Sequence, residues 1–435
     1  MSETTSQSSA RTKGGLAAYA VVTAAYWAFM LTDGALRMLV LLHFHVLGFG
    51  PIQLAYLFLL YEFMGMVTNL SAGWLAARFG LTATLYAGLA LQIGALLALT
   101  QLDETWTLAL SVVFVMLVQG VAGVAKDLTK MSSKSAVKLL VPESAHGQLF
   151  RWVALLTGSK NAVKGLGFLL GAGLLALIGF QNALFAMAAA LGVILIGVAI
   201  AMPPGLPKGK AKVPFRDVFS KSANVNWLSA ARVFLFGARD VWFVVGIPIY
   251  FYQVLSDGTE VGMRQAFFLI GGFMALWIIG YGFVQATAPR LLKQREADLT
   301  KVVPLAQRWA LGLSLIPLAL AAVAAMAPGP ADWLTATLVV GLLIFGAVFA
   351  INSAVHSFLI LAFSHGSRVT LDVGFYYMSN ATGRLLGTLF SGLSYQYLGL
   401  AGCLATAGVF AFLSFLLARK LKAQESVSSA SETAA

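Results

Sequence analysis

Apolar stretches long enough to cross a bilayer recur about a dozen times along this chain of 435 residues. A spanning helix needs roughly 20 such residues, because inside lipid every backbone N–H and C=O must find its partner within the segment. Charged residues make up only 11% of the chain and hydrophobic ones 59%, against about 25% charged in an ordinary soluble domain. The strict polar–apolar alternation of a membrane β-barrel strand does not occur. The sequence therefore predicts an all-α membrane protein with about twelve transmembrane helices.

The charges between the apolar stretches sort by side. Arg78, Lys208, Lys210, Lys212, Arg216, Lys221, Arg290, Lys293, Arg295 and Arg368 fall on one side, with Arg11, Lys13, Arg419, Lys420 and Lys422 in the tails. Asp103, Glu104, Asp257, Glu260 and Asp332 fall on the other, with Arg264 almost the only cation among them. By the positive-inside rule the basic side and both termini are cytoplasmic, so the net charge of +12 is mainly topological. The expected organisation is a disordered cytoplasmic tail over 1–14, a six-helix half over 15–202, a cytoplasmic linker over 203–224, a second six-helix half over 225–421 and a disordered tail over 422–435. That linker is the only long soluble piece, so no nucleic-acid partner is expected. The opening MSETTSQSSART lacks the order of a cleaved signal peptide. One cysteine, Cys403, allows neither a disulfide framework nor a thiolate pair, and neither metal nor cofactor is expected.

The two halves echo each other. Phe29 to Gly48 resembles Phe234 to Leu255 in its mid-span charge and aromatic exit, and NAVKGLG (Asn161 to Gly167) aligns with NATGRLLG (Asn380 to Gly387), placing Lys164 opposite Arg384. Two six-span repeats with a central site at their interface are the architecture of major facilitator transporters. GWLAARFG, Gly73 to Gly80, resembles that superfamily's first cytoplasmic loop, with Ala77 where an aspartate is usual. Gln119, Gly120 and Gly123 followed by VPESAHG resemble its fourth span, which carries that span on through Lys126 and Lys130. Gly158, Gly165, Gly167, Gly171 and Gly173 resemble its antiporter pattern, with Phe168 in place of a proline.

Four longer segments are more specific. Tyr26 to Gly48, LTGSKNAVKG (Leu156 to Gly165), SAARVFLFGARDVWFVV (Ser229 to Val245) and MSNATGRLLGTL (Met378 to Leu389) resemble the ArsJ family of organoarsenical exporters. That resemblance implies efflux of 1-arseno-3-phosphoglycerate, the acyl arsenate that glyceraldehyde-3-phosphate dehydrogenase makes when arsenate replaces phosphate. It also implies functional pairing with that enzyme, arsenate resistance, and a place in the bacterial inner (plasma) membrane among lipids as a monomer. Composition and spacing alone reach only a small anion.

The candidate site rests on cations inside apolar runs. A Lys or Arg at mid-bilayer costs roughly 3 kcal/mol even on insertion scales, so such residues face a partner or a water-filled path. Lys126, Lys130 and Lys134 stand four apart on one helix face, a ladder for an oxyanion or else a solvated helix exit that also takes in Lys138, with Asp127 moderating the field. Asp33 and Arg37 have salt-bridge spacing; Arg37 offers a planar fork to a phosphate or carboxylate, and Asp33 is its partner or a proton carrier. Arg232 and Arg239 lie two turns apart beside Asp240, with Arg239 expected to face the cavity and pairing with Glu62 or Asp240 as the structural alternative.

Lys160 and Lys164 share a face that Arg384 would oppose. Asn352 and His356, four apart, add neutral donors, although a lone intramembrane histidine is often a packing residue. Glu62, Asp33, Asp127 and Asp240 are the proton-coupling candidates. His43 and His45 lack the companions a metal site needs. An enzyme would require a nucleophile with its base, or a metal cluster, and neither pattern occurs.

Overall fold

The computed structural model describes residues 2–103, 105–137, 146–203, 220, 222–291, 299–364 and 369–423. Lys138, residues 141–145 of the VPESAHG stretch, most of the 203–224 linker and the tail beyond 423 lie outside the described residues, as does the side chain of Lys134. The helices are α1 (Ser2–Val46), α2 (Pro51–Leu99), α3 (Leu108–Val137), α4 (His146–Ala201), α5 (Ala223–Val241), α6 (Ile247–Leu255), α7 (Glu260–Leu291), α8 (Leu299–Met326), α9 (Asp332–Phe363) and α10 (Val369–Ala418). A π-helical turn, Trp242–Gly246, joins α5 to α6. No strand occurs among the described residues. The backbone of α1 is helical from Ser2, where a disordered tail to residue 14 is the sequence expectation.

Among the described residues ten segments are long and apolar enough to cross a membrane, against the twelve expected. The difference lies in how the chain turns. Helices α2, α4 and α10 run for 49, 56 and 50 residues, and 50 residues at 1.5 Å each is about 75 Å, more than twice a hydrocarbon core of roughly 30 Å. Each is broken by one glycine at positive φ: Gly80 at 75°, Gly179 at 78° and Gly399 at 63°. Two of the ten segments, Ser159–Ala201 and Asp372–Ala418, contain such a break. A single glycine takes the left-handed backbone that a Cβ resists, so the chain turns there within one residue.

The internal repeat reappears in the packing. In the first half α1 and α4 cross where Gly34 and Gly167 meet: a Cβ on Gly34 would stand 3.2 Å from the Gly167 Cα, and one on Gly167 would run into the Leu31 carbonyl. In the second half α5 and α10 cross at Gly237 and Gly387, where a Cβ on Gly387 would stand 2.8 Å from the Gly237 oxygen. Small residues let helix backbones approach closely in lipid, where no hydrophobic force drives them together.

The halves also touch each other near one end of the helices. A Cβ on Gly392 of α10 would lie 2.6 Å from the Pro51 oxygen of α2. The His45 ring of α1 meets the Tyr252 ring of α6 edge-on at 5.0 Å, and His43 stacks on Phe180 at 3.9 Å. Below these contacts Trp242, Trp277, Phe345 and Phe349 fill the second half's core. The π turn leaves backbone donors to be satisfied, and the Ser391 hydroxyl accepts from the N–H groups of Val245 at 3.1 Å and Gly246 at 3.3 Å. Two connections carry acidic turns. Asp103 accepts from the Thr105 N–H at 2.8 Å, and Asp257 from the Thr259 hydroxyl at 2.6 Å. These bonds hold both carboxyls below the usual carboxylate range, so both loops stay negative at neutral pH.

The α1–α4 crossing generates a first prediction. Gly167→Val places a side chain against the α1 backbone and should destabilise the folded protein by about 1–3 kcal/mol, whereas Gly192→Ala, with nothing within 4 Å of its added Cβ, should be close to neutral. Thermal unfolding of the two purified variants compares them; equal midpoints would contradict the crossing.

Candidate functional site

A cavity of about 210 Å³ lies between the halves, and eight cations line it: Arg37, Lys126, Lys130, Lys160, Lys164, Arg232, Arg239 and Arg384. They come from α1, α3, α4, α5 and α10. Each is a cation that interrupts an apolar run in the sequence, and the fold brings all eight to one space. Asp127 and Asp240 line the same cavity. Asp33 and Glu62 stand behind the wall, buried to 3% and 0% exposure. Eight positive side chains against four negative ones leave an excess of four positive charges around one small volume.

The pairing differs from the expected one at its first step. Asp33 and Arg37, four apart on α1, do not bond to each other. Asp33 accepts from Lys164 Nζ at 2.7 Å and from the Tyr61 hydroxyl at 2.5 Å. Arg37 reaches Glu62 of α2 at 2.9 Å. The cause is the glycine crossing: Gly34 next to Asp33 draws α4 against α1, so the nearest cation comes from Lys164. One turn further along, Arg37 faces α2, where Phe58 and Tyr61 also present their rings at 5.2 and 5.5 Å.

Glu62 is the junction of the site. Its Oε1 accepts from Arg37 at 2.9 Å and from Arg384 of α10 at 2.5 Å, while its Oε2 is buried without a partner. One carboxylate thus holds an arginine from each half. Arg384 also lies 3.8 Å from Asp240, which in turn holds the neighbouring Arg239 at 2.5 Å. A chain of charges therefore runs from α1 through α2 and α10 to α5.

On the α3 side, Asp127 binds Lys130 at 3.2 Å and accepts from Thr68 at 2.6 Å and Asn69 at 3.3 Å. Lys130 also donates to the Asn69 carbonyl oxygen at 2.5 Å.

Two of the cavity cations, Lys126 and Arg232, rest against aromatic rings. Lys126 stands over the Tyr61 ring, its Nζ 4.1 Å from the centroid. Arg232 lies between the rings of Phe236 at 4.0 Å and Tyr376 at 4.9 Å, and donates to the Ser353 carbonyl at 3.2 Å. Aromatic faces attract a cation without cancelling its charge, each worth about 0.5–2 kcal/mol depending on desolvation. One such residue sits on each half, on α3 and α5, and both line the same cavity. The arrangement presents positive charge to a ligand from two walls.

Asn352 and His356 do not reach the cavity. Both are 0% exposed on α9, behind the wall that Arg232 and Ser357 form. Their expected place as ligand donors is corrected by the phase of α9, which turns Ser357 to the cavity and these two into the protein. His43 and His45 make ring contacts only, and among the described residues no group of three His, Cys, Asp or Glu is placed to hold a metal.

Several partners escaped the sequence reading: Tyr61, Thr68 and Asn69 of α2, and the rings of Phe236 and Tyr376. Neutral hydroxyl, amide and aromatic groups in an apolar run give no signal of their own. Their spacing from Glu62 does, since Asn69 lies seven residues on and so near the same helix face.

No family profile matches the chain, and no curated protein matches it. Solved structures do. A mutant of the nucleoside transporter NupG superposes with a TM-score of 0.61 at 15% identity, over 93% of this chain and 98% of that one. A bacterial homologue of the iron transporter ferroportin, in an inward-facing state, gives 0.64 at 16% over 92% and 98%. A POT family transporter in complex with 5-aminolevulinic acid gives 0.68 at 14% over 91% and 94%. The chain thus shares the all-helical fold of these three structures.

The Glu62 junction yields a second prediction. Glu62→Gln leaves two buried guanidinium groups short of their counter-charge and should cost about 3–5 kcal/mol of stability. Combining it with Arg384→Gln should recover part of that loss, with a coupling of at least about 1 kcal/mol in a double-mutant cycle. Simple additivity would show that the two side chains do not interact.

Proposed function

We propose that this protein is a membrane transporter of a small organic anion, working by alternating access between its two halves. The observation that carries the reading is the excess of four positive charges around one cavity at the interface of the halves. Cations in that number, buried among apolar helices, are costly unless an anion shares the space at some stage of the cycle. The cavity volume of about 210 Å³ is below the roughly 300–1,000 Å³ of sites for drug-sized ligands, which favours a cargo of a few carbons carrying two anionic groups.

The narrower reading is export of 1-arseno-3-phosphoglycerate for arsenate resistance. It rests on the resemblance of four segments to the ArsJ exporters, and it fits the cavity's chemistry: a phosphate at one end, an arsenate at the other, and cations on both walls. On this reading the broken segments count as two spans each, giving twelve, the basic connections and both termini lie in the cytoplasm, and the chain sits as a monomer in the bacterial inner membrane. Glyceraldehyde-3-phosphate dehydrogenase supplies the substrate. Asp33, Glu62, Asp127 and Asp240 are the acids through which proton antiport would operate. A second reading is transport of another small organic phosphate, since the same cations suit any phosphate ester.

Everted membrane vesicles distinguish these. Arsenophosphoglycerate generated by the dehydrogenase should accumulate inside them, faster than 3-phosphoglycerate or arsenate alone, and collapse of the pH gradient should stop it. Preferential uptake of 3-phosphoglycerate would favour the second reading, and no uptake of either would remove the first. Lys126→Ala and Arg232→Ala, which remove the two cations held against aromatic rings, should each lower uptake at least about tenfold, the effect of about 1.4 kcal/mol in binding. Unchanged uptake in both variants would show that neither residue meets the cargo.

A further inference from the structure

Behind the Arg232 wall of the cavity lies a group of polar atoms that nothing in the protein satisfies. Both side-chain atoms of Asn352 and both ring nitrogens of His356 are buried without a hydrogen-bond partner, as are the Nε of Arg232 and the hydroxyl of Ser229. These residues belong together. Asn352 and His356 are four apart and share a face of α9, and Ser229 and Arg232 are three apart on α5. Arg232 crosses to α9 through its bond to the Ser353 carbonyl at 3.2 Å, and its charge acts on the His356 ring. The surroundings are apolar: Ala231, Val355 and Leu359 are all essentially inaccessible.

We infer that Ser229, Arg232, Asn352 and His356 enclose an internal water site. The chemistry of the donor set selects the ligand. Arg232 Nε and the Asn352 amide nitrogen only donate, the Asn352 oxygen only accepts, a neutral imidazole does one of each, and the Ser229 hydroxyl does both. An anion would leave the acceptors facing like charge, and a cation would face Arg232. Water donates and accepts, and buried water typically makes about three hydrogen bonds to groups of this kind. At least two molecules are needed to reach six polar atoms at that rate.

The site has a consequence for the cavity. Arg232 presents its guanidinium between two rings at the cavity wall. Water on its Nε side supplies hydration from within the protein, which lowers the cost of burying the guanidinium while its other face stays open to a ligand. Asn352 and His356 are thus positioning residues, acting on the cavity through Arg232 and the water it shares with them. This consequence rests on the anion-transport reading; the water site itself does not.

X-ray radiolytic footprinting of the wild-type protein in nanodiscs tests the site without any variant, because hydroxyl radicals formed from bound water label the side chains beside it. His356 should be labelled at a rate comparable with cavity-lining Tyr377, and far above Trp277, which is buried with its indole nitrogen bonded to the Leu342 carbonyl at 2.8 Å. An unlabelled His356 would overturn the proposal. A second measurement reads the same question by sign. If water satisfies these groups, Asn352→Leu strands it and lowers the thermal midpoint by about 2–4 °C or more. If the pocket is dry, the same change removes two unsatisfied atoms and raises the midpoint, which would also overturn the inference. Anion flux through the Asn352→Leu variant separates the two readings: labelled His356 with normal flux keeps the water and removes its role at Arg232.

Discussion

One buried carboxylate organises the polar interior. Glu62 is wholly inaccessible and holds Arg37 of the first half and Arg384 of the second on a single oxygen. In hydrocarbon an arginine without a partner is among the most costly of side chains, so each half depends on the other for part of its neutrality. The halves also meet backbone to backbone, at Gly392 of α10 against Pro51 of α2 and at Gly165 of α4 against Ala275 of α7. The α1–α4 and α5–α10 crossings within each half are likewise backbone-close at Gly34, Gly167, Gly237 and Gly387. The Glu62 junction thus lies among close helix crossings, both within the halves and between them.

The same joint explains why the cavity remains positive. Four acids engage Arg37, Lys130, Lys164, Arg239 and Arg384, while Lys126 and Arg232 rest on aromatic faces. Carboxylates fix the paired cations and set the walls; rings hold the other two without neutralising them. On the proposed reading, the first group builds the site and the second receives the cargo.

Much of this was legible in the sequence, for a physical reason. A cation within a 20-residue apolar run is costly enough that it marks a cavity by itself, and all eight such residues in the described chain's candidate set line one space. The repeat was visible as Lys164 opposite Arg384, and the glycine crossings reproduce it. What the sequence could not supply was who pairs with whom. Helical spacing favoured Asp33 with Arg37, but tertiary crossing at Gly34 gave Asp33 to Lys164. Nor does periodicity fix the phase of a nearly all-apolar helix such as α9, whose Asn352 and His356 turn away from the cavity.

The central claim is that the cations held on aromatic faces bind a small dianionic molecule, and its most direct measurement is the thermal midpoint of the purified protein against ligand concentration. A ligand that binds only the folded state stabilises it by RT ln(1 + [L]/Kd), about 2.7 kcal/mol at a hundredfold excess over Kd. The midpoint should rise with 3-phosphoglycerate, rise less with a monoanion such as lactate, and stop responding in Lys126→Ala and Arg232→Ala. A midpoint indifferent to every phosphate ester, or one that rises equally in those variants, would contradict the claim.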